Sequence, residues 1–172
     1  SAVAERTAGL ISLRKGDDAI AFKHFQRASE LDPKDTTARL NTGTVLVQAG
    51  VYDNMSFHRV VKGFVIQSGH LPTRGPLNET QQKYVRQMKA EFSDVVHDKG
   101  TLSMARLADP DSASTSFFIV TARAQALDGK YSAFGKVESG LDVVEKIEGV
   151  AVNGEAPVER VEVRRVTVTQ VP

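Results

Sequence analysis

The sequence has no cysteine. Disulfides and thiolate metal sites are therefore excluded, while the redox compartment stays open. Neither charge sign dominates: 22 lysines and arginines stand against 21 acidic residues, for a net charge of +1. Both signs are interspersed, so the basic stripe expected of a nucleic-acid surface is missing. No apolar run is long enough to cross a bilayer, and "SAVAERTAG" at the start lacks the apolar core of a signal peptide. Nucleic acid and membrane are accordingly not expected partners. A cleaved signal leaves no trace, so localisation stays open between cytoplasm and periplasm. The four histidines, His24, His58, His70 and His97, have no metal-ligand spacing, and the serines near His97 form no recognisable triad. No metal or cofactor is expected. "DPDSAS" (109–114) begins like a calcium loop but lacks its glycine and terminal glutamate, and reads as a turn.

The 172 residues suffice for one substantial core with a small appendage. Two grammars divide the chain near residue 50. Residues 1–50 are alanine-rich and read at helical period: Ala21, Phe25 and Ala28 fall at i, i+4, i+7, and Pro33 in "LDPKD" stops a helix. A hairpin is the alternative for "ISLRKGDDAIAF", with Lys15 to Asp18 as its turn and Ala19 to Phe22 as its return strand. From residue 51 on, short β-branched runs alternate with glycine turns. Within them, "FHRVVKGFVIQSG" (57–69) sets Arg59 and Gln67 inside runs that otherwise favour burial.

Gly9 and Gly16 recur 34 positions on as Gly43 and Gly50. "GLISLRKGDDAIAFKHFQRASELDP" resembles one tetratricopeptide repeat, and "ARLNTGTVLVQAGVYD" the first helix of a second. The resemblance implies a helical hairpin in which Gly9, Ala21 and Ala28 permit close approach and Phe25 fills the space between.

The second region carries three motifs in order: "YDNMSFHRVVKGFVIQSG", "GTLSMARLADPDSASTSFFIV" and "LDGKYSAFGKVESGLDVVEKIEGV". Together they resemble the cyclophilins, the cyclosporin-binding peptidyl-prolyl cis-trans isomerases, over residues 52–169. "MAR" and the insert "PLNETQQKYVRQMKAEFSD" resemble bacterial members. The resemblance implies a mainly β fold with helices, a closed antiparallel barrel of about eight strands with capping helices. Local patterns agree. "FHRVV" and "FVIQ" read as paired strands, "SFFIV" and "SAFGKV" as further strands, and Leu141 to Ile147 as an amphipathic helix. Val161 and Val163 alternate; the phase slips at Arg164–Arg165 before Val166 and Val168, which reads as a bulge.

The implied function is isomerisation of X-Pro bonds in proline-containing polypeptides, assisting protein folding. Residue by residue, Arg59, Gln67 and Phe64 match the catalytic positions. Val65, Phe118 and Leu127 complete an apolar cup for the proline ring, and Ala105 and Arg106 match the segment that pairs with extended substrate. Tyr131 stands where many relatives carry histidine. Adjacent strand residues face opposite ways, so Phe117 is expected in the barrel and Phe118 in the cup. Ala126 replaces a tryptophan of some members, which implies only weak cyclosporin binding. Val65 is smaller than the usual residue and makes the cup shallower. The family's opening hairpin has no counterpart unless residues 9–25 supply it; residues 37–49 are expected to serve as its covering helix. A barrel short of two strands exposes unpaired edges. The alternatives are a catalytically weakened proline-peptide-binding module and a tetratricopeptide adaptor.

Overall fold

In the computed structural model, which describes residues 1–32 and 35–169 apart from the Thr36 side chain, the chain forms two compact units. One comprises Ser1–Tyr52, Leu77–Val85 and the end from Arg165; the other comprises Asp53–Pro76 and Arg86–Arg164.

The first unit is helical. Helix α1 spans Ala2–Arg14, α2 spans Asp18–Leu31 and α3 spans Thr36–Gln48. Residues 9–25 thus lie mostly within α1 and α2, and the hairpin reading of that segment is incorrect. The reason is local: Ser1 caps α1 by accepting from the Ala4 N–H, Gly16 turns the chain at φ 78°, and the apolar period of 19–31 continues for three turns. Asp35 caps α3 in the same way through the Ala38 N–H at 3.0 Å. The stop expected at Pro33 lies outside the described residues. Helices α1 and α2 meet at Gly9, where an added Cβ would stand 2.5 Å from Phe25 Cε1 and 2.7 Å from Cδ1. Phe25, Ala21 and Ala28 have no exposed surface. Gly43 in α3, its counterpart 34 residues on, has nothing within 4 Å of such a Cβ among the described residues.

The two glycines therefore predict opposite outcomes. Gly→Ala in a helix gains about 1 kcal/mol of intrinsic propensity, whereas overpacking a core costs about 1–3 kcal/mol. Phe25 is enclosed and cannot swing aside, so Gly9→Ala should destabilise by about 1–2 kcal/mol. Gly43→Ala meets open space and should stabilise by about 1 kcal/mol. Denaturant midpoints of the two variants check both signs.

The second unit is built on sheets. Strand β1 is Met55–Phe57, β2 Arg59–Val61 and β3 Val65–Ser68. After the short helix α4 (Glu79–Gln82, in the first unit) come β4 Thr101–Met104, β5 Phe117–Val120 and β6 Ala133–Lys136, then helix α5, Leu141–Glu148. Strands β7 (Val152–Asn153), β8 (Ala156–Pro157) and β9 (Val161–Val163) close the series. Five of them form an antiparallel sheet in the order β2-β3-β5-β4-β6, while β1 pairs with β9 and β7 with β8.

Among the described residues the strands do not close into a barrel, which corrects the expectation of one. Where the family's opening strands were sought, the chain is helical. The last strand is also shorter than its alternation predicts. It ends at Val163 and residues 164–169 carry no strand, so the expected bulge does not form. Its partner β1 begins at Met55, behind Asn54 with φ 61°, and the pairing runs out there.

The register places the functional face. Arg59 pairs with Gln67, Gln67 with Phe118, and Phe118 with Ser103, so one row crosses four strands. Side chains alternate along a strand, and the next row, Val60–Ile66–Ile119–Leu102, points the other way. Val60, Ile66 and Ile119 pack with Val144 and Ile147 of α5. Val65, Phe118 and Val120 pack with Ala124 and Leu127 on the opposite face. One sheet thus separates a helix-covered core from an apolar cup. No helix among the described residues is long and apolar enough to cross a membrane.

Candidate active site

On the cup face, Arg59, Phe64, Val65, Gln67, Ala105, Arg106, Phe118, Leu127 and Tyr131 line a single pocket of about 120 Å³. All nine residues singled out in the sequence are brought together. They come from β2, the β2–β3 turn, β3, β5 and the segments after β4 and β5, which the sheet register holds side by side.

The floor is apolar and fixed. Val65, Phe118 and Leu127 are buried and pack together, with Phe64, Ala105 and Tyr131 partly buried against them. Phe118 meets Tyr131 edge-on, centroids 5.6 Å apart at 77°, an arrangement that aromatic pairs favour. Phe117, expected inside a barrel, is only half-buried.

Two cations sit at the rim. Arg106 Cζ lies 4.6 Å from the Tyr131 ring centroid. Its Nη1 donates to the carbonyls of Leu107 and Ala108 at 2.9 and 3.2 Å, and its Nη2 to that of Lys130 at 3.1 Å. Arg106 therefore ties the segment after β4 to the turn before Tyr131. The Ala105 N–H donates to Ser116 O at 2.9 Å, so it is not the backbone group left for a ligand.

Arg59 is the other cation. Its Nη1 is 3.4 Å from Gln67 Oε1, and its Nε and Nη2 donate to Glu155 Oε2 and Oε1 at 2.6 and 3.2 Å. These hydrogen bonds from Arg59 hold the Glu155 carboxyl below the usual glutamate range. Reasoning from the sequence missed Glu155. "NG" at 153–154 marks a hairpin turn, but nothing local names a partner 96 residues away.

Behind the cup lies a second arrangement that the sequence reading rejected. His97 Nδ1 is 3.2 Å from Asp128 Oδ1, and His97 Nε2 is 3.0 Å from Ser103 Oγ. This is the hydrogen-bond order of a catalytic triad. Yet His97 and Ser103 have no exposed surface, and no substrate reaches them. Their role is support: the His97 ring stacks on Phe118 at 6.2 Å and 29°, and the Asp128 carboxylate also accepts from the His97 N–H at 2.8 Å. Hydrogen bonds from Arg123 and that backbone amide pull the Asp128 carboxyl down to about 2.

The pocket sets a guanidinium beside an apolar cup, and no cluster of metal ligands occurs among the described residues. Comparison with known proteins places it further. The family model for cyclophilin type peptidyl-prolyl cis-trans isomerases matches residues 28–168. An Arabidopsis thaliana peptidyl-prolyl cis-trans isomerase (CYP23) is 42% identical over 123 residues, covering 67% of this chain and 54% of that protein. A probable peptidyl-prolyl cis-trans isomerase of Brucella abortus is 33% identical over 157 residues, covering 76% of this chain and 80% of that one. A crystal structure of a cyclophilin type isomerase from Cryptosporidium parvum, determined in the presence of the dipeptide Ala-Pro, matches with a TM-score of 0.67. It is 25% identical and covers 77% of this chain and 85% of its own.

The chain belongs to the cyclophilin type peptidyl-prolyl cis-trans isomerase family. It spans about half the length of the Arabidopsis relative. The family match begins within α2, ahead of the motifs quoted above.

Proposed function

We propose that this chain catalyses cis–trans isomerisation of X-Pro bonds in extended polypeptide segments, and so assists their folding. Amide resonance sets a rotation barrier of about 18–20 kcal/mol, which makes X-Pro isomerisation slow enough to limit folding. Rotation breaks no bond. A catalyst need only bind the twisted amide better than either planar form. Twisting localises the lone pair on the prolyl nitrogen, and a preorganised cationic donor aimed there acts selectively on the transition state. Arg59 is that donor in this reading, and it is always charged. Gln67 holds the carbonyl preceding the proline. Phe64, Val65, Phe118 and Leu127 seat the ring, and the remaining backbone groups of Ala105 and Arg106, beside Tyr131, hold the extended chain.

The observation that carries the reading is the shared pocket of the Arg59 guanidinium and the apolar cup. Consistent with it, the Cryptosporidium structure was determined with a proline dipeptide. A protease-coupled assay on a prolyl peptide tests it. Acceleration over the uncatalysed rate is expected; binding of the peptide without acceleration would leave a binding module, the reading favoured by the unclosed sheet. Cyclosporin titration should show only weak binding, because Ala126 offers no indole to the drug; tight binding would contradict that. The α1–α2 pair is read as a tetratricopeptide-like hairpin on the strength of the Gly9–Phe25 contact. We further read the "MAR" segment and the insert as resembling those of bacterial members.

A further inference from the structure

We infer that Glu155 is a positioning residue for catalysis: it fixes the plane and the free edge of the Arg59 guanidinium. The inference rests on the reading of Arg59 as the catalytic cation.

Strand β2 is an edge strand, paired on one side with β3. Its other side would leave backbone groups open. The tip of the β7–β8 hairpin, Gly154–Glu155, covers that side: the Val60 N–H donates to the Glu155 carbonyl at 2.7 Å. The same residue turns its carboxylate onto the side chain preceding Val60. Nε and Nη2 of Arg59 are taken in a bidentate pair at 2.6 and 3.2 Å. Glu155 thus grips β2 at three atoms, one on the backbone and two on the guanidinium.

The geometry has a chemical consequence. A guanidinium carries five N–H donors in a planar fork. The carboxylate occupies the Nε/Nη2 edge, which leaves Nη1, on the Gln67 side, directed to the pocket. An arginine held at one edge loses most of its rotamer freedom before substrate arrives, and that freedom need not be lost on the way to the transition state. The pair is part-exposed, with side-chain exposures of 34% for Arg59 and 56% for Glu155, so its contribution to global stability is small. Its effect should appear in catalysis.

The test compares wild type, Glu155→Ala, Glu155→Gln and Arg59→Ala in the whole chain. A prolyl peptide supplies kcat/KM, an NMR titration supplies its Kd, and solvent exchange of the Arg59 Nε–H reports the clamp without reference to activity. Glu155→Ala is expected to lower kcat/KM about tenfold, equivalent to about 1.4 kcal/mol in the barrier. Kd should stay within about twofold and Nε–H exchange should accelerate. Glu155→Gln keeps one acceptor oxygen and should fall between alanine and wild type. The inference is overturned if Glu155→Ala leaves kcat/KM and Nε–H exchange unchanged. It is equally overturned if the rate rises, which would make the clamp an obstruction, or if Kd weakens as much as kcat/KM falls. An inactive wild type would instead remove the proposed function. An active wild type with inactive Arg59→Ala and unaffected Glu155→Ala removes only the role of Glu155.

Discussion

Arg59→Ala is expected to lower kcat/KM for an X-Pro peptide by about 10²–10³, the loss usually found when one preorganised donor is removed from a developing charge. Several effects could in principle reduce the figure, and magnitudes decide among them. The apolar cup should stay intact, because Val65, Phe118 and Leu127 pack with one another in a buried cluster. Ground-state binding should therefore fall far less than the rate. The freed Glu155 is exposed and returns to water, so the fold should lose little. An equal loss in binding and rate would mean that Arg59 holds substrate and twisted amide alike, which accelerates nothing. Lysine should restore little, because a point charge has neither the second edge for Glu155 nor the planar reach toward Gln67.

Gly69→Ala should produce the largest loss of stability. Gly69 ends the strand that carries Gln67 and has φ 82°, a left-handed conformation. An L-residue there costs about 1–2 kcal/mol. Space is a second problem: a Cβ would lie 2.2 Å from the Thr115 carbonyl oxygen and 2.9 Å from Ser116 Cα, both backbone atoms with no rotamer by which to retreat. Overpacking of this kind costs about 1–3 kcal/mol. A destabilisation of about 2–5 kcal/mol is therefore expected, a large share of the roughly 5–15 kcal/mol that holds a domain. The Thr115 hydroxyl also donates to Gly69 O at 2.8 Å, so displacement here disturbs the approach to β5 and Phe118. A denaturant midpoint shifted by less than about 1 kcal/mol, at unchanged slope, would show the contact to be looser than described.

Arg59, Gln67 and Phe118 were picked out through the resemblance of their motifs to the family; the period-2 pattern added only that "FHRVV" and "FVIQ" pair as strands and that Phe117 and Phe118 face opposite ways. The helices were legible where an apolar period runs on for two turns or more, as in α2 and α5. What escaped depends on contacts between distant residues. Glu155 on a hairpin tip reads as a solvated charge until the hairpin is laid against β2. His97 and Asp128 are 31 residues apart, and only the burial of His97 against Ser103 and Phe118 turns three scattered polar residues into a support for the cup. The closed barrel was carried over from the family and failed where the local sequence is helical; helical period at 19–31 already spoke against an opening hairpin. The overlong final strand failed because alternation in one strand says nothing about how far its partner extends.

The central claim is that Arg59, seated beside the cup, favours a half-rotated X-Pro bond. Two-dimensional exchange NMR on a proline peptide, with catalytic amounts of wild type or Arg59→Ala, tests it without a coupling protease. Exchange cross-peaks between cis and trans resonances should appear with wild type and vanish with Arg59→Ala, while the shift changes that report binding persist in both. Cross-peaks of equal intensity with the alanine variant would contradict the account.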